Sequence, residues 1–412
     1  MQTLLIIGTV WPEPKSSAAG SRMLQLIEFF VTLNFEITFA SAATESQFMF
    51  DLSSIGVAIQ AIEMNSKTFD VFVKNLHPSV VLFDRFITEE QFGWRVAENC
   101  PTAMRILDTE DLHCLRLARQ FAVKKNREFA IKDLFSDAAK REIASIFRCD
   151  LSLIISAFEM DLLENIFNIK RELLHYLPFM LDEIDEKITK KWMLFNEREN
   201  YVFIGNFFHE PNWDAVLTLK TKIWPLIKNL QPTAIVEIYG AYPSQKVFDL
   251  HNQKDGFLIK GRAEDAIEVI SKSRVLLAPI RFGAGIKGKL VEAQFCGTPS
   301  ATTKIGAEAM SDDNLWNGFI EDDFQRFAEA SVLLYNDEKQ WLQAQKNGIL
   351  IYNGRYLKSE LTPIFRQTFQ NIFDNLEQHR LTNFIGAMLM HHIMKSTKYM
   401  SKWIEEKNKV KQ

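Results

Sequence analysis

Three cations and a carboxylate fall within twelve residues, Arg281, Lys287, Lys289 and Glu292 of RFGAGIKGKLVE. The apolar run Val275–Ile280 before them reads as a buried strand. Lys287–Cys296 after them reads as a helix that stops before Gly297, with Pro299 just beyond. Ligands of open α/β sheets bind outside the carboxyl ends of strands, where such a loop sits. Gly283 and Gly285 let backbone approach an anion closely. The free amides and dipole of the following helix favour negative charge. With three cations added, a diphosphate fits better than any neutral ligand. Glu292 would repel phosphate, so its fitting role is to accept hydrogen bonds from ribose hydroxyls. The plainer alternative is a solvated basic loop capping a helix, with Lys289 and Glu292 as an i,i+3 pair.

Other candidates lie at the ends of earlier strands. Gly20 and Arg22 close the first strand-to-helix turn, where the glycine would let backbone approach a phosphate and the arginine would contact a ligand; a simple helix start capped by Ser16, Ser17 or Ser21 is the alternative. Asp108 and His113 follow the strand Met104–Asp108 and are expected to face a cleft as catalytic groups that orient a hydroxyl. Their ordinary roles are an N-cap partnered by Asp111 and a residue on a helix face. Asp108-Thr-Glu-Asp111 is D-x-x-D, so no metal site is expected.

The elements that would position these residues alternate. Strands are expected at Leu4–Gly8, Glu36–Ala40, Val80–Asp84, Met104–Asp108, Leu151–Ser156 and Leu173–Leu177, with helices between them such as Arg22–Leu33, Glu89–Glu98, Leu112–Lys124 and Phe158–Phe167. The charged stretch Leu181–Asn200 reads as a linker. Alternation restarts with strands Tyr201–Gly205, Ala234–Tyr239, Gly256–Lys260, Val275–Ile280 and Ser300–Thr303, and helices Asn212–Leu230, Ala263–Ser271 and Asp322–Tyr335. Runs that are apolar throughout suit parallel strands buried on both faces. Beyond Trp341 strands are scarce, with Gly348–Tyr352 a weak candidate, and Arg355–Glu377 and Leu381–Lys409 read as helices. The fold class expected is therefore α/β, with two Rossmann-like domains at 1–185 and 198–355 and C-terminal helices at 356–412.

Bulk properties agree. A chain of 412 residues with 47% hydrophobic and 24% charged side chains suits two or three globular domains. A formal charge of −4 supplies no global field for nucleic acid. Cys100, Cys114, Cys149 and Cys296 match no zinc or disulfide spacing, which suits a reducing cytosol. The start MQTLLIIGTVW reads as a strand and no apolar run reaches membrane-spanning length, so a cytoplasmic location is expected. GTVWPEP after the first strand lacks the G-x-G-x-x-G of a dehydrogenase.

PIRFGAGIKGKLVEAQFCGTP, followed by TTKIGAE, closely resembles the nucleotide-sugar signature of group 1 (family 4) glycosyltransferases. FIGNFFHEPNWDAV, YGAYP, PKSSAAGSR, RILDTEDLHCLRLAR and DLSLIISAFE resemble further pieces in the same order, over about residues 1–355. The resemblance implies the GT-B arrangement: two Rossmann-like domains with the active site between them, donor on the C-terminal domain, acceptor on the N-terminal one. It implies retaining transfer from a nucleotide sugar to a glycan or lipid-linked acceptor, with no required cofactor or metal and no nucleic-acid partner. It places Glu292 at the ribose, Lys289 as the basic residue three positions earlier, and Glu308 near the donor sugar, although Glu308 also suits a plain helix N-terminal acid.

Two departures matter. Family members often have a second glutamate eight residues before the first, where this chain has Ala284, and an Arg and a Lys for phosphate where this chain has NFFHEPN. Arg281 or Lys287 would have to supply that charge, and failing this a catalytically silent GT-B protein becomes the competing class. An epimerase or phosphorylase of the same fold lacks a signature here. In the last helix Ile385, Leu389, Ile393, Met400 and Trp403 share a face, with His391, His392 and Lys395, Lys398, Lys402 and Lys409 elsewhere. The bland expectation is an apolar face docked on the N-terminal domain. The others are a peripheral contact with the inner membrane face and an acceptor-phosphate site.

Overall fold

A computed structural model describes residues 2–311 and 315–409. Two parallel sheets are built in series. The first contains β1 (Thr3–Gly8), β2 (Glu36–Ser41), β3 (Ala58–Ala61), β4 (Val80–Asp84), β5 (Met104–Asp108), β6 (Leu151–Ile154) and β7 (Leu174–Tyr176), in the order β3-β2-β1-β4-β5-β6-β7. The second contains β8 (Glu199–Ile204), β9 (Val236–Tyr239), β10 (Phe257–Gly261), β11 (Ser273–Ala278), β12 (Ser300–Thr302) and β13 (Gly318–Ile320), in the order β10-β9-β8-β11-β12-β13. Every pairing is parallel. The chain order reverses between β1 and β4 and between β8 and β11, and at such switch points crevices open at the carboxyl edge.

Burial on both faces explains why the strands are continuously apolar. Along β1, Leu4 and Ile6 enter one core layer while Leu5 and Ile7 enter the other. The second domain has its own core around Tyr201, Trp224 and Leu290. Two strands escaped the sequence reading. All four residues of β3 are exposed, and β13 has three residues, none fully buried. The apolar run Gly348–Tyr352 is not a strand but part of the helix Glu338–Arg355, which buries Gly348, Ile351 and Tyr352 on one side.

The chain then returns to the first domain. The helix Lys358–Asp374 sends Phe365, Phe369 and Ile372 into the layer that holds Phe29 and Phe30. The Phe29 and Phe365 rings stack at 4.3 Å. The two crossings between domains lie side by side, with Leu181 N donating to Tyr356 O at 2.7 Å and Lys358 N to Leu181 O at 2.8 Å.

Candidate functional site

The carboxyl edges of the two sheets face each other and touch. From the β1 turn, Glu13 accepts the Tyr242 hydroxyl at 2.7 and 2.8 Å, and Ser16 O accepts Asn206 Nδ2 at 3.4 Å. A Cβ on Gly288 would sit 2.5 Å from Ala18 Cβ, so the glycine permits the two helix starts to meet. A cavity of about 170 Å³ lies in this seam, walled by Trp11, Asp84, Arg85 and Glu110 from one domain and by Phe208 and Tyr242 from the other.

The glycine loop is gripped from across the seam. Gly285 has φ +63°, a conformation that favours glycine. Its N–H donates to Glu159 Oε1 at 2.8 Å, and the same oxygen accepts Leu112 N at 2.9 Å. Burial pushes the Glu159 carboxyl up to about 8. Gly283 O accepts Arg119 Nη1 at 2.8 Å, and the Arg119 fork also holds Glu308 at 2.6 and 2.8 Å. Gly283 itself has room for a side chain, so its open surroundings and not its φ leave space there. Ala284, at the position of the missing family glutamate, packs into an apolar cluster of the N-terminal domain.

Beyond this loop the helix Gly288–Phe295 begins at the seam. Lys287 is its N-cap residue and turns its ammonium back to Gly285 O at 2.9 Å. Lys289 donates to Asn212 Oδ1 at 2.5 Å, with its ammonium 4.3 Å from the Phe203 ring centroid. Burial lowers Lys287 to about 8 and Lys289 to about 7, so an arriving anion would raise both and protonate Lys289 more fully near neutral pH. Glu292 is half-buried and no hydrogen bond from a described residue occupies its carboxylate. Burial raises its pKa and Lys289 opposes the shift. The Lys289 ammonium and the Glu292 carboxylate therefore lie on one helix, with Glu292 able to accept ligand hydroxyls.

Several expectations are corrected. Arg22 and Asp108 face each other inside the N-terminal domain, both almost wholly buried, with Nε and Nη2 on the carboxylate at 2.9–3.2 Å and Nη1 on Leu177 O at 2.6 Å. Each is partnered by the other out of reach of solvent, which accounts for both residues without a ligand. A Cβ on Gly20 would lie 2.5–2.7 Å from the Glu13 backbone, so packing against that turn accounts for the glycine. Arg281 is exposed and its guanidinium is engaged by Asp214 at 2.5 and 2.9 Å. His113 does lie near the seam, 3.5 Å from Asp111, and burial lowers it to about 4, which leaves it neutral at physiological pH.

The sequence reading did not single out Arg85, Glu110, Asp111, Arg116, Arg119, Glu159 or His209. Burial pushes Glu110 up to about 8, and its Oε1 has no hydrogen-bond partner. Burial also opposes the charge on Asp111, but the Arg116 guanidinium at 2.7 Å outweighs it and holds the carboxyl well below its usual range. His209 comes from the NFFHEPN loop, and its nearby charges are Asp111, Arg116, Lys289 and Arg85. Six of the seven, all but Arg85, lie inside the segments DTEDLHCLRLAR, SAFE and NFFHEPN, where the available signal was a charged or imidazole side chain beyond a strand.

Two domains with parallel sheets and facing carboxyl edges define the GT-B class of fold. Residues 198–337, most of the C-terminal domain, match the family model described as "Glycosyl transferases group 1". Sucrose-phosphate synthase from Thermosynechococcus elongatus superposes with a TM-score of 0.68 at 13% identity, covering 91% of this chain and 100% of that one. Anabaena Alr3699/HepE, solved in complex with UDP and glucose, gives 0.66 at 13% identity over 90% and 100%. A glycosyltransferase from Rickettsia africae gives 0.64 at 11% identity over 91% and 99%. No curated protein matches the sequence. Among the described residues no three His, Cys, Asp or Glu side chains converge as a metal site, and no helix is long and apolar enough to cross a membrane.

Proposed function

We propose that this chain transfers a sugar from a nucleoside-diphosphate sugar to a hydroxyl of a glycan or lipid-linked acceptor, with retention of configuration. The reaction would need no metal and would serve glycan or surface polysaccharide synthesis in the cytoplasm. The observation that carries the reading is the helix Gly288–Phe295, which opens at the seam with Lys287 and Lys289 at its start and the unoccupied hydrogen-bonding face of Glu292 one turn on. The diphosphate leaving group gathers charge as the sugar departs, and helix amides with two lysines stabilise it. Glu292 holds the ribose. The interdomain seam excludes water and limits donor hydrolysis. The HepE complexes with UDP, glucose and UDP-glucose support a uridine nucleotide as the first donor to try.

The test is release of nucleoside diphosphate from UDP-, GDP- and ADP-sugars by the native chain and by Lys289→Ala. Turnover of one donor, lowered on the order of a hundredfold in the variant, supports the reading. Ala284 motivates a second one, a silent GT-B protein, because the position of a family glutamate is here used for packing. Nucleotide binding with no turnover of any donor would favour it.

A further inference from the structure

The last helix, Phe384–Lys409, is mounted with its apolar side outward. Its inward side mixes small and polar contacts with half-buried Met390 and Ile404. Gly386 lies so close to Phe147 O that a Cβ would collide, Ser401 donates to Asn65 Oδ1 at 2.8 Å, and buried Glu405 meets buried Arg95 at 2.5 Å. Arg95 also holds Asp70 at 2.6 Å, and Lys398 holds Glu98 at 2.5 Å. These bonds fix the helix's rotation on the helices Arg85–Asn99 and Asp137–Arg148. Of the apolar face expected to dock inward, Ile385, Met400 and Trp403 are exposed and Leu389 is half-buried. The side chains of His392 and Ile393 lie outside the described residues.

Phe384, Ile385, Met388, Tyr399 and Trp403 project within an arc of about 100° when placed at 3.6 residues per turn. Phe384 is 76% exposed, Tyr399 67% and Trp403 59%. Exposed Lys402 lies at one border of this arc, Lys395 just inside that border, and Lys407 beyond the other, its ammonium 4.9 Å from the Trp403 ring centroid. Glu406 also projects there, and Lys409 holds its carboxylate at 2.6 Å. The helix carries five lysines against two glutamates, on a chain whose formal charge is −4. Among the described residues none covers this face, and a fold gains nothing by turning three aromatic rings to water.

We propose that this face lies on an anionic lipid bilayer surface, with the aromatic and methionine side chains among the acyl ends of the headgroups and the lysines on lipid phosphates. The exposed lysines beside the aromatic rings favour anionic lipid as the occupant, and dimerisation through this face is the alternative that the test must detect. The inference deepens the lipid-linked branch of the proposed acceptor. It does not depend on the donor site, because vesicle binding and nucleotide binding are separate readouts.

The test is sedimentation of the full chain with phosphatidylcholine vesicles and with equal mixtures of phosphatidylcholine and phosphatidylglycerol. The native chain should sediment with the mixed vesicles, on the order of tenfold more weakly with phosphatidylcholine alone, and more weakly as salt rises. The variant Phe384→Ser/Met388→Ser/Tyr399→Ser/Trp403→Ser should lose binding at unchanged melting temperature. Lys395→Gln/Lys402→Gln/Lys407→Gln should lose only the preference for anionic lipid. Absence of native binding, equal sedimentation of the serine variant, or concentration-dependent dimerisation through this face without vesicle binding would each overturn the proposal.

Discussion

The Glu159 carboxyl of the N-terminal domain holds the Gly285 amide of the C-terminal domain at 2.8 Å, although the two residues are 126 positions apart. The amide expected to meet a donor phosphate is thereby engaged by the opposite domain, so the glycine loop's shape depends on the seam being closed.

Glu159 should make stability depend on pH. Its folded pKa, about 8, lies above the ordinary 4.5. Its contribution is therefore fully present below about 4.5 and is lost as pH rises through about 8. Glu159→Gln keeps an oxygen for both amides and cannot ionise. Melting temperatures between pH 5 and 8.5 should fall less steeply in this variant than in the native chain, by an amount on the order of a few kcal/mol at the alkaline end. Glu159→Ala should cost about 2–3 kcal/mol near pH 6, because two buried amides lose their partner. Parallel melting curves for native and Gln variant would remove Glu159 as the cause.

Nucleoside diphosphate binding should take up protons. Lys289 stands near 7 and Lys287 near 8, and an adjacent diphosphate raises both. Affinity should fall as pH rises from 7 to 9. Calorimetry at pH 8 in buffers of different ionisation enthalpy should show uptake of about one proton, smaller in Lys289→Met. An observed heat independent of buffer would contradict the assignment.

Arg22 and Asp108 should prove structural. Asp108→Ala or Arg22→Ala leaves a buried charge without its partner and should cost about 3–5 kcal/mol in urea unfolding. The double change Arg22→Met/Asp108→Leu should cost less than the two single changes added together. A normally stable Asp108→Ala that binds nucleotide yet does not turn over would return Asp108 to catalysis.

Arg119 should act on transfer more than on folding. Arg119→Lys keeps a charge but loses the fork that joins Gly283 O to Glu308. Steady-state kinetics should show kcat lower on the order of tenfold with a smaller change in KM.

The parts of this molecule written locally were legible in the sequence. Leu4–Ile7 and Val80–Phe83 are buried on both faces and so read as continuous apolar runs, whereas β3, exposed at all four positions, gave no such signal. The loop from Gly283 to the helix carrying Lys289 and Glu292 was visible because glycines, cations and helix start are neighbours in the chain. Pairings over long separations were not. Arg22 meets Asp108 across 86 residues, Arg119 meets Glu308 across 189, and no local pattern couples them. Arg281 looked like a phosphate ligand because its partner Asp214 lies 67 residues away. Helical periodicity in Phe384–Lys409 showed that apolar residues share a face, but distant partners such as Arg95 for Glu405 and Asn65 for Ser401 set the helix's rotation.

The donor site is the central claim, and thermal stabilisation by UDP, GDP, ADP, CDP and dTDP tests it most directly on the native chain and on Glu292→Gln. A nucleotide at a hundred times its dissociation constant adds about 2.7 kcal/mol of stability. One nucleotide should raise the native melting temperature and do so far less in the variant, where a ribose contact is weakened. No shift by any of the five at millimolar concentration, or an equal shift in both proteins, would contradict the placement of the donor on Lys289 and Glu292.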